Sequence, residues 1–103
     1  MRLLRLLKGW WGNDDMANPI ARLGDTTDHG GTIISGASRT LINGIPAARK
    51  GDLHSCPLEG HGVTEITTGS DSVFIEGSPA ARVGDSVECG AIIIVGSPDT
   101  LAG

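Results

Sequence analysis

Aromatic side chains are nearly missing from this sequence: Trp10, Trp11 and Phe74 are the only three, and there is no tyrosine. A core must therefore be assembled from Ile, Val, Leu and Ala, which bury less surface per residue, and a 103-residue chain built that way is marginal without a staple. Cysteine is scarce too. Cys56 and Cys89 are too few for a disulfide-dense secreted scaffold, and one pair does not fix the redox compartment. No run approaches the roughly 20 consecutive apolar residues that a membrane-spanning helix needs. Basic charge is also short. The formal net charge is −4, and beyond the first fifteen residues only five Lys and Arg face ten Asp and Glu, which argues against nucleic acid as a partner.

What the chain has in quantity is glycine, 16 residues, and with five prolines these punctuate short apolar runs along its length. That is the composition of many tight turns joining short strands, so an all-β fold with very little helix is expected. The first eleven residues differ. Leu3, Leu4, Leu6, Leu7, Trp10 and Trp11 alternate with Arg2, Arg5 and Lys8. There is no uninterrupted apolar stretch and no small-residue cleavage site, so a signal peptide is not expected. Residues 1–15 are expected to be an N-terminal extension, either unfolded or a short amphipathic helix for an interface or a partner. The folded domain is expected over 17–103.

Internal repetition carries the most information. Arg22-Leu23-Gly24-Asp25, Arg49-Lys50-Gly51-Asp52 and Arg82-Val83-Gly84-Asp85 share the pattern Arg-x-Gly-Asp, and their starts are separated by 27 and then 33 residues. Pro46-Ala47-Ala48-Arg49 and Pro79-Ala80-Ala81-Arg82 are identical tetrads, and Pro19-Ile20-Ala21-Arg22 differs at one position. Gly36 to Arg49 aligns with Gly69 to Arg82 without a gap, and Gly96 to Gly103 restarts the same segment. Within a unit, Thr32-Ile33-Ile34-Ser35 and Thr40-Leu41-Ile42 read as short strands, and Asn43-Gly44 reads as a tight turn that tolerates positive φ. One unit cannot bury its apolar face alone. Three units about an approximate threefold axis would bury those faces against each other. The Gly-Asp pairs, Gly24-Asp25, Gly51-Asp52 and Gly84-Asp85, are expected to fix turns through carboxylate bonds to nearby amides.

The same register exposes candidate ligands. Seven residues beyond each repeat arginine stand His29, Cys56 and Cys89, and the surplus six residues of the second interval lie near His54 and His61. Every histidine and cysteine of the chain thus falls in one of three loops that a threefold arrangement would bring to the same end. Zinc takes four such donors tetrahedrally, at about 2.0–2.1 Å for nitrogen and about 2.3 Å for thiolate sulfur. Five candidates compete for those four places. A Cys56–Cys89 disulfide is the rival reading of the two thiols.

Repeated Pro-Ala-Ala-Arg tetrads, Arg-x-Gly-Asp turns, Asp28-His29-Gly30-Gly31 and an Asn-Gly hairpin resemble the PAAR-repeat family over residues 17–103. The resemblance implies a small pointed cone of three pseudo-threefold-related β-hairpin repeats, with one structural zinc near the tip held by three histidines and one cysteine. Carried onto this chain, that pattern places His29, His54, His61 and Cys89 on the metal; the repeat register points instead to Cys56 in place of His54. The first unit departs from the family signature at Ile20. The resemblance also implies a partner, the blunt end of a trimeric β-helical spike of the valine-glycine repeat type, capped by one copy per trimer in a type VI secretion system or related contractile machine. Assembly in the bacterial cytoplasm, ejection through the apparatus, attachment of effectors and only transient contact with a target membrane go with that role. No catalysis is expected. The competing reading is a small zinc-dependent hydrolase with Glu59 or Glu88 as general base, which needs an open metal position that four protein donors would fill.

Overall fold

A computed structural model describes residues 17–103. The expected N-terminal extension, 1–15, lies outside the described residues. Among those residues every regular element is a strand, and each spans only two or three residues. In chain order they are β1 (Asn18–Pro19), β2 (Thr32–Ile33), β3 (Leu41–Ile42), β4 (Ile45–Pro46), β5 (Leu53–Ser55), β6 (Val63–Glu65), β7 (Phe74–Ile75), β8 (Ser78–Pro79) and β9 (Leu101–Ala102). The all-β class expected from composition is the class observed. Strands this short cannot be stable singly, so the fold depends on how they are cross-braced.

The bracing repeats three times. Ala21 N–H donates to the Ala81 carbonyl at 2.9 Å, Ala48 N–H to Ala21 at 2.9 Å and Ala81 N–H to Ala48 at 3.0 Å, closing a ring through all three repeats. A second ring runs from Leu23 to Pro46, Lys50 to Pro79 and Val83 to Pro19, with bonds of 2.8–2.9 Å. These rings explain why the tetrads are rich in alanine. Three backbones meet face to face, and Ala21, Ala47, Ala48, Ala80 and Ala81 have no solvent exposure, so a methyl group is about all the space admits. On one side of the alanines, Ile33, Ile66 and Ile93 occupy equivalent buried positions in a cluster that also takes in Val87 and Ala91 and packs against Cys89. A separate cluster of Ile20, Ala37, Ala47, Ile75, Ala80 and Ala102 packs against Ile42 and Val73 and includes no residue of the ligand loops.

Each Arg-x-Gly-Asp turn is closed from within. The Asp25, Asp52 and Asp85 carboxylates accept from the backbone amides of Arg22, Arg49 and Arg82 at 2.7–2.8 Å. The same carboxylates pair with the arginine Nε atoms at 3.0, 3.2 and 3.0 Å. Gly24, Gly51 and Gly84 take φ of 92°, 96° and 99°, which a side chain would strain.

Strand pairing differs in one respect from the pattern read along a single unit. β3 pairs with β4 around Asn43-Gly44, whose φ of 55° and 78° suit a two-residue hairpin turn, and β7 pairs with β8 around Glu76-Gly77, at 50° and 87°. β2, however, pairs with β5 of the next unit, and β5 with β6, to make a three-stranded sheet. β1 pairs with β9, setting Pro19 opposite Leu101 as Pro46 stands opposite Leu41 and Pro79 opposite Phe74. The third equivalent pair is therefore made from strands at the two ends of the described chain.

Candidate metal centre

Two of the three ligand loops are built alike. Gly30 N–H donates to the Thr27 carbonyl at 3.0 Å and Gly90 N–H to Val87 at 2.8 Å, so His29 and Cys89 each sit in a tight turn closed by a glycine of positive φ. The Asp28 carboxylate accepts from Ile92 N–H at 2.9 Å and ties the first loop to the third repeat. The second loop is longer and forms the β5–β6 hairpin. Its turn carries Pro57 and Gly60, the latter at φ 84°, and is closed by Cys56 N–H on the Gly62 carbonyl at 2.9 Å and His61 N–H on Leu58 at 3.1 Å. The surplus residues of this repeat thus fold His61 back over Cys56.

The result is a four-donor group. One ligand atom each of His29, Cys56, His61 and Cys89 lies within 4.8 Å of all the others. Cys56 Sγ stands 3.3 Å from His61 Nδ1 and 3.8 Å from His29 Nδ1, and Cys89 Sγ stands 3.9 Å from His29 Nδ1. A tetrahedron with zinc–nitrogen and zinc–sulfur bonds of ordinary length has edges of about 3.3–3.8 Å, close to these three separations, and the remaining pairs lie within 4.8 Å. The two imidazoles are tilted at 52° with ring centroids 5.1 Å apart, which leaves both free to present a nitrogen to the same point. Both cysteines are free thiols in the structure. Cys56 is buried and the other three donors are half-buried, as expected for a group near a surface and backed by the Ile33, Ile66, Ile93 cluster. Imidazole and thiolate are the donor types that zinc favours.

His54 is not in this group. Its side chain has no solvent exposure, and its Nε2 shares a 2.8 Å hydrogen bond with Thr27 Oγ1. Burial, and secondly the neighbouring His29, push its pKa below the ordinary value of 6.5, which favours the neutral imidazole. The hydroxyl partner satisfies Nε2, whereas the buried Nδ1 has no partner among the described residues and adds a desolvation cost to this placement. Its site also depends on Gly31: a Cβ there would lie 2.4 Å from His54 Nε2 and 2.5 Å from the Ser55 carbonyl oxygen. The signal for this role was present in the register. Five residues beyond the repeat arginines stand Thr27, His54 and Val87, and all three are buried.

Other side chains that bridge repeats carry no recognisable motif. The Glu76 carboxylate accepts from the Thr40 hydroxyl at 2.9 Å and the Arg39 amide at 2.8 Å, and Asn43 and Asp99 join through a 2.9 Å bond. These bonds clamp the β3–β4 and β7–β8 turns to loops of neighbouring repeats, and the Thr40 bond above all holds Glu76 below its ordinary pKa of 4.5. Glu59 and Glu88, the two carboxylates considered as general bases, are both exposed.

A family model described as PAAR motif matches residues 23–95, a span that contains all four converging donors. No curated protein matches the chain.

Proposed function

This chain belongs to the PAAR-motif family, and from that membership we propose that it is a spike-tip protein of a contractile secretion machine, locked at one end by a single zinc ion. In this reading His29, Cys56, His61 and Cys89 hold the ion. One donor comes from the first repeat, two from the second and one from the third, so a single ion cross-links loops that are far apart in sequence. Zinc supplies bond energy between loops there and no turnover, because four protein donors complete its tetrahedral shell and leave no position for a reacting water.

The observation that carries the reading is the closed ring of Ala21, Ala48 and Ala81, by which one chain reproduces a threefold pattern of backbone bonds. A trimeric β-helix ends in three equivalent open strand edges, which invite unwanted pairing. A single chain with threefold repetition can cover all three at once, where an asymmetric protein would cover one. The body so formed is a pointed cone that caps and sharpens a spike of the valine-glycine repeat type, and the metal lock keeps short strands from fraying when axial force drives the spike through a membrane. Assembly in the bacterial cytoplasm and ejection with the spike follow from that task, as does a place where effectors attach.

Mixing the purified chain with the trimeric spike and measuring mass by light scattering tests the proposal. One copy per trimer is the expected result. Three copies per trimer, or no complex, would rule out the cap.

A further inference from the structure

The pairs β3–β4, β7–β8 and β9–β1 each set one large apolar residue opposite a proline: Leu41, Phe74 and Leu101. Their exposures are nearly identical at 58, 59 and 56%. The next residue along each strand, Ile42, Ile75 or Ala102, turns inward to the core cluster that lacks the ligand loops. Alternation explains the inward residues; a strand face that stays in water would put polar groups at the outward ones.

The rest of the exposed apolar surface does not repeat in this way. Leu23 has Lys50 and Val83 as its equivalents, Leu53 has Thr26 and Ser86, and Ile34 and Ile94 share their register with Thr67. Among the described residues, only the set of Leu41, Phe74 and Leu101 is large, apolar and exposed in every repeat.

We propose that Leu41, Phe74 and Leu101 are the anchors by which this end of the molecule docks on a homotrimer, one anchor to each partner chain. The inference rests on the spike-tip reading for the identity of the trimer and adds the residues that make the contact. Three identical chains offer three identical sockets, and three equally exposed apolar side chains at repeat-equivalent positions are what such sockets would select. Charge disfavours a second copy of this chain as the occupant. Glu76 is paired with Arg49 at 3.8 Å, so the repulsion comes from the overall charge of −4 and from Asp99, which is exposed beside the Asn43 turn.

The test uses the full chain and the trimeric spike protein, with affinity and stoichiometry read by calorimetry for wild type, Leu41→Asp, Phe74→Asp, Leu101→Asp and the triple variant. Each single substitution is expected to weaken binding about tenfold or more, and the triple variant to abolish it, as for an apolar anchor lost from a desolvated socket. Metal content and melting temperature are measured alongside and should stay near wild type, because the three side chains stand in solvent. If the triple variant binds as tightly as wild type, the anchors are wrong while the cap survives; if wild type itself does not bind, the spike-tip reading fails first. Self-association of the chain that the triple variant abolishes would make a second copy the occupant and overturn the proposal. Should the triple variant lose its metal or its fold, a photoreactive phenylalanine analogue at position 74 decides: cross-linking to the spike supports the contact, and none refutes it.

Discussion

The alanine-lined body and the metal end treat the threefold repeat in opposite ways. Through the body, equivalent positions make the same backbone bond, and in the ring of Ala21, Ala48 and Ala81 they also carry the same residue. At the metal end, equivalent positions hold His29, Cys56 and Cys89, with Thr27, His54 and Val87 behind them, and the second loop is longer than the other two. The difference has a physical cause. Three backbones can satisfy one another symmetrically, but a tetrahedral ion needs four donors and three repeats supply three. The longer loop brings the fourth, His61, so repetition is given up where the proposed ion would require it.

The largest effect should come from breaking the metal end. Cys56→Ala or Cys89→Ala is expected to release the ion and lower the melting temperature by more than about 10 °C, since an ion binding only the folded state contributes at least a few kcal/mol and each kcal/mol moves a domain of this size by roughly 4–8 °C. Chelator should do the same to wild type, and a melting curve indifferent to chelator would remove the staple. His54→Val, matching Val87 of the third repeat, should retain one equivalent of metal by elemental analysis. Loss of that equivalent would return His54 to the ligand set.

Next in size is the body. Ala48→Leu forces a larger side chain into a position with no exposure and should cost about 1–3 kcal/mol in urea unfolding, with metal still bound by the folded fraction. No loss of stability would mean that the ring has room it does not show.

Gly31→Ala joins the two regions and should destabilise by about 1–3 kcal/mol, because its Cβ meets both His54 and the Ser55 carbonyl. In a double-mutant cycle with His54→Ala, only the part due to the imidazole should be recovered, while the clash with the Ser55 backbone remains; full additivity would deny that the two side chains meet.

The smallest effect belongs to the turn clamps. Glu76 has a folded pKa held below 4.5, so its bonds stabilise the protein above the ordinary carboxylate range and that contribution is lost as pH falls through the lowered value. Wild type should therefore melt slightly above Glu76→Ala at neutral pH, with the gap closing in acid. A gap independent of pH would show that charge on Glu76 plays no part.

Much of this was legible along the chain. The Pro-Ala-Ala-Arg tetrads and Arg-x-Gly-Asp turns announced the repeats, because backbone turns demand the same small residues wherever they recur. His29, Cys56 and Cys89 were legible from register alone. The choice between Cys56 and His54, which the family resemblance favoured, was not legible, since an imidazole ligates or packs with the same atoms. The inter-repeat bonds of Glu76 and the pairing of β2 with β5 were hidden because their partners are remote in sequence.

The sequence by itself determined a small all-β chain of three related units, with metal-competent residues confined to three loops. Glycine, alanine and periodic apolar residues express local steric limits that need no knowledge of distant neighbours. Only the tertiary structure decided that Cys56 faces His61 across 3.3 Å while His54 turns away to Thr27, because that choice depends on how the β5–β6 hairpin pairs with β2 of the first repeat. Which donors share a point in space is a property of packing, and packing is set by all three repeats together.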